Sequence, residues 1–395
     1  MSFDSPQEIG RRIAACRRAH RYTQTALATA SHVSYAMVRA IERGARRPSD
    51  EVLEAIADAL DVDVTRLRTD HVGGTERRVH RALPALSEAI AGYDLALGPP
   101  SRGPEELADG ISTAVGWRLA AQYGRIATFI PGLLTDAIRY VHTAPGAEHQ
   151  GAARMLASAA RTADAVAYKH GAHDLSARLI DLMRWAADRA ADPLVQATAS
   201  YVRAETFFAA RAHAAGLVAL EQAIEAAPAP DGRKQAAARG ALHMRAAVIA
   251  SRAQNVGATD THLAHARQLS KQVGHEGSYL GTAFGPESVR IHEVSVAVSL
   301  GPGHADRALR AAAAWTPGID LPAERRSGFY IELARAQDWA GRPVEAFTSL
   351  RMARAAAPQH TREHPWVREV ARNLRRFHRS DAESLTHFAH WVGAV

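Results

Sequence analysis

The stretch YTQTALATASHVSYAMVRAIERGARRPS, residues 22–49, decides the fold of the N-terminal part of the chain. Thr23 stands where its hydroxyl can cap a short helix carrying Leu27 and Ala30 inward, and the turn "SHVS" ends that helix. A second helix, YAMVRAIERG, follows, with Val38 and Ile41 on its apolar side and Gly44 at its end. Upstream, Ser5-Pro6-Gln7-Glu8 reads as a capping box with proline in the first helical position, and Ile9, Ile13 and Cys16 form one apolar stripe. Downstream, Ser49 caps a helix with Asp50 and Glu51 in its first turn and Val52, Leu53, Ile56, Ala57 and Leu60 on its inner face. Val64 and Leu67 predict a fifth helix. Five short helices with a tight turn between the second and third is the arrangement in which the third enters a DNA major groove and the second braces it across the backbone.

Charge is segregated within this region. Residues 11–47 hold nine arginines and one acid, Glu42, while Asp50, Glu51, Glu54, Asp58, Asp61 and Asp63 crowd the helix that follows. A charge run often marks only a solvated face. Separation by helix points further, to one face meeting a polyanion.

The same block resembles the Cro/phage-repressor type of helix-turn-helix found in the xenobiotic-response-element (XRE) family. Thr23-Gln24, Leu27-Ala28, Val33-Ser34, Ile41-Glu42-Arg43-Gly44 and Pro48-Ser49 all stand at family positions, and the match covers roughly residues 5–68. His32 departs from it, because the family has glycine in that turn, where a left-handed backbone is easier without a side chain. The resemblance places Gln24 at the amino end of the second helix, against a phosphate, with Thr23 beside it. It also pairs Glu42 with Arg17 as a structural clamp rather than a DNA contact. Because Val38 and Ile41 face the core, Ser34, Tyr35, Ala36, Met37, Arg39 and Ala40 are the outward or forward positions that could read bases. Arg39 could grip a guanine, and Ala36 or Met37 could meet a thymine methyl. Arg43, Arg46 and Arg47 lie at or beyond the helix end and suit phosphate.

After Leu67 the segment RTDHVGGTE loses periodicity. This predicts a helix-turn-helix domain over 1–70, a linker over 71–78 hinged at Gly73-Gly74, and a helical domain over 79–395. In that last part apolar helical patterning recurs between Gly, Pro and Asp breaks, without strand alternation. The unit YIELARAQDWAGRPVEAFTSLRMARAAAP, residues 330–358, has Tyr330, Leu333, Ala334, Gly341, Ala346, Leu350, Ala353 and Pro358 at tetratricopeptide (TPR) spacings. Weaker copies run through Phe207, Leu220, Ala223 and Pro228 and around Gly171, Ile180 and Met183. Such helix pairs must stack into a solenoid, with room here for about seven or eight. The stretch FGPESVRIHEVSVAVSLG, residues 284–301, resembles a recurrent segment of actinobacterial regulators that join an XRE-type domain to degenerate tetratricopeptides. The two-part organisation is similar to the peptide-pheromone-responsive regulators of Gram-positive bacteria, whose solenoid groove takes a small ligand. The fold class expected is therefore all-α, a five-helix Cro/repressor-like domain followed by a TPR-like α-solenoid.

Composition agrees. The chain has 395 residues and a formal net charge of +7, with frequent alanine, few aromatics and lysine only at 169, 234 and 271. Small side chains on closely approaching helices would build such a core. The single cysteine, Cys16, forms no internal disulfide, and no apolar run approaches the about 18 residues of a membrane span, so a cytoplasmic protein is expected. Twenty histidines include pairs one turn apart, His262/His265 and His387/His390, without further ligands nearby. No HExxH, GxSxG, Walker loop or dinucleotide fingerprint occurs, so neither catalysis nor a metal or cofactor is expected. The expected partners are double-stranded DNA carrying an inverted-repeat operator, a second copy of the chain, and a peptide or small-molecule effector. Trp185, Tyr201, Phe207 and Arg245 are candidates for the effector groove. The alternative is a TPR interaction scaffold whose N-terminal domain merely adds DNA affinity or dimerises.

Overall fold

The computed structural model describes residues 6–20, 22–60, 62, 67, 72–377 and 382–394. Among them the protein is all-helical apart from one small hairpin, and it divides into two compact units, Met1–His80 and Arg81–Val395.

The first unit opens with four helices: α1 (Pro6–Ala19), α2 (Gln24–Ala30), α3 (Tyr35–Glu42) and α4 (Asp50–Ala59). Thr23, Ser34 and Ser49 cap α2, α3 and α4, each side-chain oxygen accepting a hydrogen bond from the backbone N–H three residues on. Ile9, Ile13, Cys16, Leu27, Ala28, Val38, Ile41, Leu53, Ile56, Ala57 and Leu60 form one buried core, joined by Leu67. Leu67 is helical, as expected of a fifth helix, whereas Val64 lies outside the described residues, as do Ser5 and the side chain of Glu8 from the expected capping box. Ala30 is exposed rather than inward. Helix α2 stops there, and Ser31 turns in instead, its hydroxyl donating to the Leu27 carbonyl at 2.7 Å. A Cβ on Gly10 would sit 2.1 Å from the Ile41 carbonyl oxygen, so α1 and α3 meet backbone to backbone. His32 adopts φ 53°, the left-handed turn where glycine is easier.

The stretch expected to be a linker is helical from Val72 onward. Helix α5 (Val72–Ala89) runs through Gly73 and Gly74, because local propensity is a weak prior beside the helix-forming residues that follow. In the second unit come α6 (Pro104–Leu119), α7 (Tyr123–Thr143), α8 (His149–Lys169), α9 (His173–Ala190), α10 (Pro193–Ala209), α11 (His213–Ala226), α12 (Arg233–Arg252) and α13 (Val256–Val273). The remaining helices are α14 (Pro286–Ser299), α15 (Ala305–Ala312), α16 (Ala323–Trp339), α17 (Pro343–Ala356), α18 (Pro358–Glu363), α19 (Pro365–Phe377) and α20 (Ala382–Trp391). Successive helices pack in pairs, α8 with α9, α12 with α13 and α16 with α17 most extensively. Within five pairs the turn passes through one left-handed residue: Ala121, Gly171, Arg211, Gln254 and Gly341. Gly171 to Arg211 is a step of 40 residues and Arg211 to Gln254 one of 43, longer than the roughly 34 of a tetratricopeptide. Alanine lets these helices approach closely: Ala152, Ala153, Ala159, Ala160, Ala163 and Ala167 of α8 are all fully buried.

No strand was expected, yet Gly277–Tyr279 (β1) and Thr282–Phe284 (β2) pair antiparallel around Leu280-Gly281. Both turn residues have positive φ, 47° and 72°, which matches the twist of a two-residue hairpin. Phe284 seats the hairpin on α12, where a Cβ on Gly240 would lie 2.0 Å from its ring.

Candidate nucleic-acid interface

Helix α3 presents two faces. Val38 and Ile41 are buried, whereas Ser34, Tyr35, Ala36 and Arg39 are exposed, Tyr35 at 47%. Met37 and Ala40 are only half-buried, and Met37 packs against the core. Helical periodicity explains this: Met37 adjoins Val38 and stands one turn before Ile41, on the flank of the buried stripe. The Ser34 oxygen is already committed to the cap, accepting from Met37 N at 3.2 Å. The Arg39 guanidinium has no intramolecular hydrogen bond or ion pair among the described residues, so its five donors stay available to a ligand.

Arginines extend this face beyond the helix. Arg43, Arg46 and Arg47 are exposed, and Arg43 Nε donates to the Arg39 carbonyl at 3.3 Å. Glu51, Glu54 and Asp58 are exposed on α4, so the unit carries its acid on a different element. The Thr23 oxygen accepts from Ala26 N at 3.0 Å, which keeps its own O–H free to donate.

The expected clamp is formed, and it has a third member. Arg17 meets Glu42 through two parallel bonds, Nε to Oε1 at 2.7 Å and Nη2 to Oε2 at 3.0 Å. Gln24 Nε2 donates to Glu42 Oε2 at 2.7 Å, and Arg17 Nη1 donates to the Tyr22 carbonyl at 2.8 Å. One carboxylate thereby ties α1, the start of α2 and the end of α3 together. The Arg17 and Glu42 side chains are 14% and 5% exposed, so water competes little for the pair, and the hydrogen bond to Glu42 raises the Arg17 pKa further. Gln24 was expected only at a phosphate. Its amide has two N–H donors, and the clamp engages one side of it.

The four groove candidates of the second unit separate. Tyr201 and Arg245 line one charged cavity. Trp185 stands elsewhere, with Arg189 3.5 Å over its ring and Tyr93 at its edge, and Phe207 carries Arg203 over its ring at 5.3 Å. The sequence reading missed Arg118, Arg161, Lys169 and Arg325, which line the same cavity. A detectable signal existed in Arg161-Thr162-Ala163-Asp164, four consecutive charged or small residues inside an alanine-rich helix with no polar side left to take them. His262 and His265 do come together with a third histidine, His243, yet no group of three His, Cys, Asp or Glu among the described residues is placed to hold a metal ion. No helix among the described residues is long and apolar enough to cross a membrane.

Comparisons with known proteins meet the chain first at this interface. Residues 13–67 match the family described as Helix-turn-helix. An uncharacterised HTH-type transcriptional regulator of Bacillus subtilis (strain 168), YazB, is 40% identical over 58 residues, which is 15% of this chain and 84% of that protein. Among solved structures, Bacillus thuringiensis PlcR in complex with the peptide PapR7 and DNA is 12% identical, over 68% of this chain and 96% of that one, with a TM-score of 0.27. The apo form of the competence regulator ComR from Streptococcus vestibularis is also 12% identical, over 74% of this chain and 98% of that one, with a TM-score of 0.23. At such scores no common arrangement of whole chains is implied. Through the YazB match, which spans most of that relative, and the helix-turn-helix match, the chain belongs to the HTH-type transcriptional regulators.

Proposed function

We propose that this regulator reads a specific operator with α3, binds it as a homodimer on an inverted repeat, and is gated by an effector held in its second unit. One observation carries the reading: Arg39 projects from α3 with no partner among the described residues, beside exposed Ser34, Tyr35 and Ala36, on a helix held in place by the Arg17–Glu42–Gln24 clamp. An arginine so held can meet guanine O6 and N7 with both arms of its fork, while Arg43, Arg46, Arg47, Thr23 and the free side of Gln24 position the domain on phosphates. A single recognition helix spans few base pairs, so two copies on two half-sites supply the length an operator needs. The charged cavity of the second unit supports the sensing role, because an effector gates only through contacts that differ between two states. Such a protein works in the cytoplasm, where the DNA is.

Selection of bound sequences from a random duplex pool, with the full chain and with Arg39→Ala, tests this. A reproducible inverted-repeat motif that blurs in the variant is expected. Salt-sensitive binding with no motif would instead favour an interaction scaffold with accessory DNA affinity.

A further inference from the structure

Two cavities adjoin in the second unit, and they differ in chemistry. The smaller, about 110 Å³, is lined by five cationic side chains, Arg118, Arg161, Lys169, Arg245 and Arg325, against three carboxyls, Asp164, Glu205 and Glu324. These come from α6, α8, α10, α12 and α16, the first helices of their pairs. The larger, about 340 Å³, is walled mainly by apolar groups, among them Leu194, Ala197, Ala237, Ala238, Ala241 and Leu280. Tyr201 and Thr282 line both.

The charged cavity is incompletely satisfied from within. Lys169 is held by Glu324 at 2.5 Å, and Arg161 Nη1 and Arg118 Nη2 donate to the hairpin-tip carbonyls of Leu280 and Gly281 at 2.8 and 3.0 Å. Arg325 Nη2 donates to the Tyr201 oxygen at 3.2 Å, and Arg245 lies 4.1 Å over the Tyr201 ring with its Nη2 3.6 Å from Glu205. Yet among the described residues Arg118 Nε, Arg245 Nε, Arg325 Nη1 and the hydroxyl of Thr282 are buried with no hydrogen-bond partner, and Thr282 is only 6% exposed. Buried donors without acceptors are expensive, and the residues that bear these line a cavity where positive charge is already in excess. Titration agrees with that field. Burial and then neighbouring Arg118 push the Arg161 guanidinium down to about 9, and the Tyr201 phenol is lowered against its burial by Arg245, Arg325 and Arg161. Asp164 is pushed up by burial and by Glu205, which removes negative charge that could have balanced the arginines.

We infer that the two cavities form one site for a small amphipathic anion, its carboxylate or phosphate head among Arg118, Arg245, Arg325 and Thr282 and its apolar body in the alanine-lined chamber. The head supplies the acceptors that these donors lack, and the chamber has the size and apolar lining of a small-molecule pocket. The hairpin borders both halves, with Leu280 lining the apolar chamber, Gly281 the charged one and Thr282 both. This inference rests on the sensing role proposed for the second unit.

Calorimetric titration of the full chain with octanoate, octyl phosphate, 1-octanol, acetate and inorganic phosphate tests it. Octanoate or octyl phosphate is expected to bind at least tenfold more tightly than 1-octanol, acetate or inorganic phosphate, and the better of the two octyl anions identifies the head. Arg325→Gln is expected to weaken the octyl anion about tenfold and leave 1-octanol unchanged. Ala238→Leu, which narrows the chamber without touching the charge, is expected to weaken the octyl anion and leave inorganic phosphate unchanged. Equal binding of octanol and octanoate overturns the inference, as does inorganic phosphate binding as tightly as octyl phosphate. Absence of any octyl-anion binding in a protein that still selects a DNA motif overturns it too, and leaves the regulator reading standing. Octanoate binding in a protein that selects no motif supports this site and removes the regulator reading instead.

Discussion

Glu42 ties three helices of the first unit together, because its two oxygens accept from Arg17 twice and from Gln24 once. Glu42→Ala takes both carboxylate bonds from a guanidinium that keeps only the Tyr22 carbonyl, which is expected to cost about 2 kcal/mol. Hydrogen exchange resolved to α1–α3 in the full chain measures it, and unchanged protection would show that the clamp contributes nothing. His32 offers the opposite sign. Its φ of 53° is a left-handed conformation that a side chain disfavours, so His32→Gly is expected to stabilise the unit by about 0.5–1 kcal/mol after the added flexibility of the unfolded chain is deducted. A thermal midpoint that fails to rise would mean that the imidazole makes a compensating contact. Both residues were legible in the sequence, one as an acid among arginines and the other as a side chain in a glycine position. Gln24 was half legible: its place at the start of α2 was readable, its bond to Glu42 was not, because that bond joins residues distant in sequence.

At the scale of elements, legibility followed the number of independent signals per helix. Helices α2, α3 and α4 each had an apolar stripe, with capping hydroxyls at Thr23 and Ser49 and end signals in the turn after α2 and at Gly44, and all three helices form. The helix pairs of the second unit were harder to read because the left-handed turn residue is glycine at 171 and 341 but Ala121, Arg211 and Gln254 elsewhere. Without glycine, such a turn looks like helix. The hairpin was invisible for a different reason: strands of three residues are too short for alternation to show. Its seating makes a sharp prediction. Gly240→Val forces atoms into the Phe284 ring and is expected to cost the second unit about 3 kcal/mol, with residues 277–284 becoming an early site of proteolytic nicking. A variant as resistant to limited proteolysis as the parent would show that the hairpin is held by Arg118 and Arg161 alone. Those arginines were hard to read, since arginine is the default cation of the chain and, apart from Arg161 within its alanine-rich helix, burial alone distinguishes the cavity set from the solvated remainder.

The whole molecule responds to protons and to salt through different groups. His243, His292 and His360 are each held down to about 3, by burial first and by neighbouring positive charge second. Unfolded, they titrate near 6.5, so below that pH the unfolded state binds protons that the folded state refuses, and each costs stability at about 1.4 kcal/mol per pH unit. Glu332 acts oppositely: burial raises its carboxyl from 4.5 to about 7, so its contribution is present below 4.5 and lost as pH rises toward 7. His213, His262 and His364 are lowered in the same sense and Asp164 is raised like Glu332, so the lowered histidines outnumber the raised carboxyls and unfolding takes up protons between pH 6.5 and 4.5. The urea midpoint of the second unit is therefore expected to fall steadily from about pH 7 to about pH 5, whereas a flat profile would mean that these histidines are charged in the folded protein. Salt reports on the other unit and on assembly. Each phosphate neutralised contributes about −0.9 to the slope of log affinity against log salt. Arg46 is exposed and lies past the end of α3, where it suits a phosphate rather than a base. A dimer on an inverted repeat brings that arginine to the DNA twice, so Arg46→Ala is expected to flatten the slope by about 1.8, against about 0.9 for a single bound copy. Anisotropy titrations of one selected operator between about 50 and 200 mM salt separate the cases. No change in slope would take Arg46 off the phosphate backbone, and a change of one unit's worth would keep the contact while removing the dimer from the bound state.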